Sequence, residues 1–398
     1  MLCRDLTLVD NVLKNVISAA NASYGQDDDK IVQELRRAFV AFDKGYGQRN
    51  IPPFNGGLFR GDLLLDTLKI RDFRLADLID FLNRYNFQAQ LNVNVLGHIF
   101  EQSISDIEDI KARLQQEEPI AAGELAVAVK TETSKRKKEG VFYTPDYITR
   151  YMVEQAVGGW LDDREADIRR ELNMEHLPDL TVADYESIRL TDKGIYERND
   201  TIALHVRFWE RYQTQLEAIR VLDPACGSGA FLTQVFDFLW EKWRVLKEET
   251  YKLVTPYDKQ LKDLAARSGQ QNGLTLTTSK YREWEIKKDI VSRNIYGVDL
   301  NPESVEITKL ALWLKTASKT ETLANLDDHV RQGNSLVSDP AVTEHAFDWE
   351  TEFAGIRFDV VVGNPPYVRQ ELGAFQSCVI EVFRLRNTSV INLALPLR

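Results

Sequence analysis

Cysteine, methionine and histidine are scarce in this sequence of 398 residues, with three, three and five occurrences. Cys3, Cys226 and Cys378 are too few and too far apart for a disulfide framework or a zinc site, so no metal site is predicted. No apolar run approaches the roughly 20 residues of a membrane span, and the first ten residues lack an apolar signal core. We therefore expect a reduced, cytoplasmic compartment and no membrane partner.

Positive charge is also in deficit. Lysine and arginine number 50 against 61 acidic residues, which gives a net charge of -11 and a pI near 5.2. This balance argues against a protein that coats nucleic acid nonspecifically, although it leaves room for a local basic groove. With 43% hydrophobic residues, the chain is long enough for one large or two ordinary domains.

The first third of the chain predicts a mainly helical N-terminal region, residues 1–129. The cap-like run QDDDK precedes a helical stripe that Gly45 ends. The stripe consists of Ile31, Leu35, Ala38, Phe39 and Phe42. The charged, weakly apolar run KTETSKRKKEG (130–140) is the expected domain boundary.

Short apolar strands separated by helical patterns follow in residues 130–398. IRVLDPA (219–225), NIYGVDL (294–300), VRQGNSLV (330–337) and RFDVVVGNPPY (357–367) supply the strands. Strands that are apolar throughout and alternate with helices predict an α/β fold with a parallel sheet covered on both sides. Ligands of such sheets bind at the carboxyl ends of the strands, where the unusual residues of this chain lie. The charged segment 245–292 reads as an insertion.

The run DPACGSG (223–229) predicts a glycine turn between a strand and a helix. One face of that helix is predicted to consist of Leu232, Val235, Phe236, Leu239 and Trp243, and one face of the helix after NIYGVDL of Ile307, Leu310, Ala311 and Leu314. Gly227 and Gly229 allow the backbone to approach a ligand closely, but a single Gly-x-Gly also fits a plain tight turn. Asp299, at the end of the next strand, can accept the hydroxyls of a ribose, and its alternative role as a helix cap suits Asn301 better. Leu232 stands where dinucleotide folds have a third glycine, so a nucleoside without a pyrophosphate fits better.

The run Asn364-Pro365-Pro366-Tyr367 ends the last of these strands. An exocyclic amine of adenine is a poor nucleophile because its lone pair is delocalised into the ring. An enzyme that alkylates this amine must accept hydrogen bonds from both of its hydrogens, which localises the lone pair on the nitrogen. The Asn364 side-chain oxygen and the Pro365 carbonyl can be those acceptors, and Tyr367 offers a face for a base flipped out of the duplex. The alternative is a plain proline turn.

Four segments occur in a fixed order between residues 223 and 368: DPACGSGAFL, GVDLNPESVEITKLALWL, GNSLV and GNPPYV. Together they resemble motifs I to IV of adenine-specific DNA methyltransferases, with motif I at 221–232 and motif IV at 363–367. GVFYTPDYITRYMV (140–153) is similar to motif X, which precedes motif I in the gamma order. FNGGLF and LGHIFEQSISDIE resemble the helical segment before the methylase of type IIG restriction–modification proteins.

The resemblance implies a Rossmann-like, S-adenosylmethionine-dependent sheet and methylation of adenine in double-stranded DNA. The residues that it implies for the cofactor are Tyr143, Thr144 and Pro145 at the methionine end, Asp223, Ala225, Gly227 and Gly229 at the methionine and sulfonium region, Asp299 at the ribose, and Leu300 and Asn334 at the adenine. Those that it implies for the target pocket are Asn364, Pro365, Pro366 and Tyr367. A separate specificity or nuclease subunit is a further implied partner, within a restriction–modification or phage-defence system.

Complete members of this family continue past motif IV with further strands and a target-recognition domain, whereas this chain ends at Arg398. We therefore expect a truncated product whose sheet is incomplete at the C-terminus. Two alternatives stay open. One is an inactive remnant that binds the cofactor or a partner chain. The other is a protein glutamine methyltransferase, since an amide nitrogen poses the same lone-pair problem.

Overall fold

The computed structural model describes residues 12–23, 28–46, 69–84, 144–186, 189–190, 196–197, 200–268, 282–316, 324–364 and 389–390. The charged boundary segment 130–140 and the runs FNGGLF and LGHIFEQSISDIE lie outside these ranges. The division of the chain at residue 130 therefore stays a prediction. Within the described ranges, no helix is both long and apolar enough to cross a membrane.

Three amphipathic helices form a small unit near the N-terminus: α1 (Val12–Ala22), α2 (Lys30–Lys44) and α3 (Asp72–Asn83). Their apolar faces meet in a cluster centred on Val16, Ala20, Ile31 and Ile79. The Asp72 carboxylate of α3 accepts a hydrogen bond of 2.8 Å from the Ile31 backbone N–H in the first turn of α2. A backbone N–H at the start of α2 is thus hydrogen-bonded by a side chain from another helix, while the side chain of the N-cap residue Asp29 makes no capping hydrogen bond.

The predicted stripe on α2 is confirmed in its first half and wrong in its second. Ile31, Leu35 and Ala38 join the small core, and Gly45 ends the helix with φ of 80°. Phe39 is 44% exposed, however, and Val32 is buried instead. A helical stripe is buried only along the length that another helix covers, and here that cover comes from α1 and α3 near the start of α2.

The rest of the described chain alternates helices and strands. Its helices are α4 (Asp146–Val153), α5 (Gly159–Glu171), α6 (Val182–Glu186), α7 (Asp200–Ala218), α8 (Ala230–Ser268), α9 (Glu283–Asp289), α10 (Pro302–Thr316) and α11 (Trp349–Glu352). Two π-helical turns follow α4 and α9, at Glu154–Gly158 and Ile290–Asn294. Its strands are β1 (Arg189–Leu190), β2 (Tyr196–Glu197), β3 (Val221–Asp223), β4 (Ile295–Asp299), β5 (Val330–Gln332), β6 (Val360–Val361) and β7 (Ser389–Val390).

Five strands form one parallel sheet in the order β5-β4-β3-β6-β7. The antiparallel pair of β1 and β2 is separate and was not expected from the sequence. The chain leaves β3 in one direction to build β4 and β5, then returns to the other side of β3 for β6 and β7. The order of strands reverses at β3, which opens a crevice at the carboxyl ends of β3, β4 and β6.

Both faces of the sheet are buried, as the apolar strands predicted. Val221, Ile295 and Val360 face a large core that α4, α5, α7, α8 and α10 help to build. Leu222, Tyr296 and Val361 face the other way, into a second cluster. Aromatic side chains supply most of that cluster, namely Phe347, Trp349, Phe353 and Phe358, several of them in edge-to-face contact.

The helical stripe predicted after the glycine turn is confirmed, because every one of its members is buried. These are Leu232, Val235, Phe236, Leu239 and Trp243 on α8. On α10 the prediction is partly wrong: Leu310 and Leu314 are half-buried, while Val305 and Leu312 lie deeper. The proposed insertion at 245–292 stays a prediction; within it, α8 continues to Ser268 and α9 spans Glu283–Asp289.

The expected loss of the last hairpin of the sheet stays a prediction. Between Asn364 and the C-terminus, only the two residues of β7 fall in the described ranges. They pair with β6 in parallel, in the register Val360 with Ser389 and Val361 with Val390.

Candidate active site

The glycine turn between β3 and α8 is fixed by bonds from its neighbours. Gly227 and Gly229 have φ of 51° and 85°, the left-handed region that glycine adopts without strain. The Cys226 backbone N–H donates to the Val298 carbonyl of β4 at 2.9 Å, and the Gly229 N–H closes a turn onto the Cys226 carbonyl at 2.8 Å. The predicted strand–turn–helix at motif I is therefore confirmed, with the turn attached directly to the next strand.

Thr308 on α10 completes this support and was missed in the sequence. Its hydroxyl donates to the Gly227 carbonyl at 2.7 Å, and its side chain is fully buried. A Cβ added to Gly229 would lie 2.9 Å from the Thr308 methyl carbon, so no larger residue fits there. The available signal was a hydroxyl residue within the apolar face of the helix, next to Ile307.

Asp299 at the end of β4 uses both carboxylate oxygens to shape the site. Oδ2 accepts from the Gly227 N–H at 2.8 Å, and Oδ1 accepts from the Asn301 N–H at 2.9 Å. Asn301, not Asp299, caps α10, since its side-chain oxygen accepts from the Ser304 N–H at 2.9 Å. The expected assignment of the cap is confirmed.

Asp223 at the end of β3 differs from Asp299 because it is buried and only half satisfied. Its Oδ1 accepts from the Ala225 N–H at 3.0 Å, whereas its Oδ2 has no hydrogen-bonding partner among the described residues. Burial, reinforced by the nearby charge of Asp299, raises the pKa of the Asp223 carboxyl to about 8. An unpartnered carboxylate oxygen at this depth is the kind of group that a cationic ligand satisfies.

The turn after β6 packs directly on Asp223. The Val362 N–H donates to the Leu222 carbonyl at 2.9 Å, which continues the pairing of β6 with β3. A Cβ added to Gly363 would lie 2.5 Å from the Asp223 Oδ1 atom. Glycine is thus needed here for close approach, and it brings the backbone next to Asn364 onto the end of β3. The resemblance places Gly363 in motif IV, but nothing in the sequence indicates its contact with Asp223.

Asn364 and Thr144 are brought together from positions 220 residues apart in the chain. The Asn364 side-chain Nδ2 donates to the Thr144 Oγ1 at 3.1 Å. Asn364 is half-buried, and Thr144 is buried just before α4. Residues predicted for motif IV and for motif X are therefore neighbours in the folded chain.

The remaining predicted residues lie around this centre at different depths. Leu300 follows Asp299 and is 53% exposed, so its side chain is open to contact. The Asn334 side-chain oxygen accepts from the Leu336 N–H at 3.1 Å, at the end of β5. Pro145 precedes α4 and accepts from the Ile148 N–H with its carbonyl at 2.9 Å. Tyr143, Pro365, Pro366 and Tyr367 lie outside the described residues.

The residues at the end of β3 and β4 fit S-adenosylmethionine, which carries a sulfonium and an ammonium group. The unpartnered Oδ2 of Asp223 offers a buried acceptor to a positive group. Gly227 and Gly229 present backbone without side chains beside it. Asp299 offers carboxylate oxygens, which are hydrogen-bond acceptors for hydroxyls, and Leu300 offers an open apolar surface to a flat ring.

Comparison with known proteins points to the same part of the chain. Residues 293–381 match the family model described as Eco57I restriction-modification methylase. This segment contains β4, β5 and β6, and with them Asp299, Asn334 and Asn364.

Three curated relatives carry related names. The chain is 26% identical over 310 residues to the putative type II restriction enzyme and methyltransferase RM.MjaORFECS2P of Methanocaldococcus jannaschii, covering 73% of this chain and 21% of that protein. It is 28% identical over 371 residues to the type II restriction enzyme and methyltransferase RM.Eco57I of Escherichia coli, covering 86% and 28%. It is 24% identical over 283 residues to the adenine-specific methyltransferase BrxX of Escherichia coli O9:H4, covering 68% and 19%.

The matched part of the chain thus spans 19% to 28% of the length of these relatives. Their names and the family match support a methyltransferase domain of the restriction–modification type.

Proposed function

We propose that this chain is the methyltransferase part of a DNA restriction–modification or phage-defence protein. It would transfer a methyl group from S-adenosylmethionine to the exocyclic N6 amine of adenine in double-stranded DNA. The observation that carries the proposal is the contact between two strand ends. Gly363 packs against Asp223, so Asn364 directly follows a residue that touches the end of β3, where the glycine turn begins and a cofactor would bind.

The cofactor side of this proposal rests on the end of β3 and β4. When bound, S-adenosylmethionine supplies a methyl group activated by a sulfonium. A positive group of the cofactor would lie against the unpartnered Oδ2 of Asp223. The Asp299 carboxylate would accept hydrogen bonds from the ribose hydroxyls of the cofactor. Leu300 and Asn334, with Tyr143, Thr144, Pro145 and the Ala225 backbone, would line the rest of the cofactor pocket.

The target side rests on Asn364. A side-chain oxygen that accepts one amine hydrogen, together with the Pro365 carbonyl as second acceptor, draws the nitrogen towards tetrahedral geometry and localises its lone pair. The nitrogen would then bond to the methyl carbon as the bond from that carbon to the sulfonium sulfur breaks, which leaves a neutral thioether, and the nitrogen would release one proton to solvent. Pro366 would hold this turn rigid and Tyr367 would stack on the flipped base, which contributes roughly 1–3 kcal/mol against a similar cost of flipping.

The strand order supports the finer fold assignment. Numbered from β3, the sheet reads 3-2-1-4-5, the order of doubly wound, Rossmann-like folds. Target choice would come from a separate specificity or nuclease subunit or from further sequence of a longer protein. A cytoplasmic location belongs to the same proposal, because the cofactor and the DNA are found there.

Two substitutions separate binding from turnover. Asn364→Ala should lower methyl transfer from tritiated cofactor to mixed genomic DNA at least 100-fold, while the Kd for the cofactor measured by calorimetry stays within about threefold. Asp299→Ala should weaken cofactor binding about tenfold or more, because it removes a charged acceptor. Asn325→Ala is the matched control, since this exposed asparagine lies away from the site.

Unchanged methyl transfer in Asn364→Ala would overturn the proposal. Cofactor binding by the wild-type chain without any transfer to DNA would favour the non-catalytic remnant. Transfer to protein rather than DNA would favour the glutamine methyltransferase alternative.

A further inference from the structure

We propose that Thr144 is a positioning residue that holds the Asn364 side chain in place through a hydrogen bond to Nδ2, which leaves the Asn364 oxygen to face the substrate amine. This inference rests on the proposed function. It adds to the target pocket a residue from the opposite end of the predicted methyltransferase domain. The carrying observation is the hydrogen bond of 3.1 Å from the Asn364 Nδ2 to the Thr144 Oγ1. Among the described residues it is the hydrogen bond that holds the Asn364 side chain.

The orientation of this amide decides whether the pocket works. A carboxamide has one end that accepts and one that donates, and the two ends have nearly the same shape. The adenine amine brings two N–H groups, so an inward-facing oxygen accepts one of them, whereas an inward-facing NH₂ group would place donor against donor. By accepting from Nδ2, Thr144 engages the donating end and leaves Oδ1 for the substrate.

Thr144 is well placed for this task because its segment is anchored. It is 8% exposed and immediately precedes Pro145 and α4. Met152 and Val153 fix that helix in the main core, and α4 packs on α8. A hydroxyl held by a packed helix start can keep a partner side chain within the narrow range of geometry that catalysis requires.

The same position explains how two predicted motifs cooperate. Thr144 belongs to the segment that the resemblance assigns to the methionine end of the cofactor, yet its hydroxyl bonds to the residue assigned to the target base. A role in cofactor binding and a role in positioning Asn364 make different predictions. The first changes the Kd for the cofactor, and the second changes kcat.

The test compares Thr144→Val with Thr144→Ser. Valine keeps the size and removes the hydroxyl, and serine keeps the hydroxyl. Thr149→Val is the matched control, because Thr149 is a buried threonine of the same segment whose hydroxyl bonds to the local Asp146 carbonyl. We expect Thr144→Val to lower kcat at least tenfold with the cofactor Kd within about threefold of wild type. Thr144→Ser should recover at least a third of wild-type kcat, and Thr149→Val should keep it within about twofold.

A second readout is independent of turnover. The side-chain NH₂ signals of Asn364 in a ¹⁵N correlation spectrum, assigned by their disappearance in Asn364→Asp, should shift in Thr144→Val and remain near their wild-type positions in Thr144→Ser and Thr149→Val. If the wild-type chain transfers no methyl group, the proposed function fails, and the spectrum alone decides whether the hydroxyl holds the amide.

Three results would overturn the inference. These are an unchanged kcat in Thr144→Val, an equal loss in the valine and serine variants, and Asn364 NH₂ signals that do not respond to the valine. A weakened cofactor Kd with unchanged kcat would likewise assign the hydroxyl to the cofactor instead.

Discussion

The turns that follow β3 and β6 meet at the same edge of the sheet but are held in different ways. The turn after β3 is bonded to β4, to the Asp299 carboxylate and to the Thr308 hydroxyl, besides its own internal bond. The described part of the turn after β6 leans on Asp223 through Gly363, and its Asn364 side chain is held by Thr144. Within the described residues, which end at Asn364 in the turn after β6, the turn after β3 is held by more hydrogen bonds.

This difference suits the two tasks that we propose. A cofactor pocket benefits from a preformed backbone surface, which reduces the ordering cost of binding. A pocket that receives a flipped base needs one amide in one orientation. We therefore predict that the turn after β3 tolerates the loss of one hydrogen bond but not an added Cβ. For the turn after β6, we predict that loss of the Thr144 hydroxyl alone lowers activity.

The largest expected effect at a fixed pH comes from Gly229→Ala. The backbone at φ of 85° strains any residue with a Cβ, and that Cβ would meet the Thr308 methyl at 2.9 Å and its Cα at 3.3 Å. We expect a loss of roughly 2–5 kcal/mol in the free energy of unfolding, measured by urea denaturation. The matched control is Gly159→Ala in α5, where nothing lies within 4 Å of the added atom, and this variant should gain up to about 1 kcal/mol. Equal stability of the two variants would show that the turn is not tightly constrained.

The next effect concerns Asp223 and pH. Its pKa of about 8 in the folded chain exceeds the ordinary 3.8, so between these values the folded state holds a proton that the unfolded state has released. The free energy of unfolding should therefore fall as pH rises from about 4 to about 8, by up to about 1.4 kcal/mol per pH unit from this group. In Asp223→Asn, whose amide does not titrate, this slope should be absent.

The subtraction of the two pH profiles isolates Asp223. Burial also raises the pKa of Asp289 and Asp359 and lowers that of His329, but these groups are the same in both proteins and cancel. Urea denaturation at pH 5, 6, 7 and 8 provides the profiles. Parallel profiles would mean that Asp223 is ionised in the folded chain without a ligand.

The smallest effect is expected for Thr308→Val. The variant leaves the Gly227 carbonyl without its 2.7 Å hydrogen bond and keeps the packing, at a cost of about 1–2 kcal/mol. Because other bonds still hold the turn, the cofactor Kd from calorimetry should rise less than tenfold, with Thr308→Ser closer to wild type. A loss of cofactor binding in Thr308→Val would contradict the view that many bonds share the support of this turn.

The periodic and strand patterns predicted much of the sheet domain, because its elements are buried on the sides that the patterns mark. The strand before Asp223, the glycine turn and the stripe on α8 were all anticipated. The helical patterns predicted burial wrongly where burial depends on which other element packs on the helix, as for Phe39 and Leu314.

The candidate site shows the same division. Motif residues at strand ends could be named from the sequence, since parallel strands place their carboxyl ends together. Contacts across long separations could not, because nothing local marks them. The bond between Thr144 and Asn364 and the fit of Gly363 against Asp223 are of this kind.

Mass spectrometry of nucleosides, after incubation of this chain with duplex DNA and methyl-labelled S-adenosylmethionine, tests the central claim most directly. The adjacency of Asn364 and the glycine turn predicts label in N6-methyladenine, and its loss in the Asn364→Ala variant. Label in a cytosine product, or in N6-methyladenine formed equally by that variant, would contradict the account.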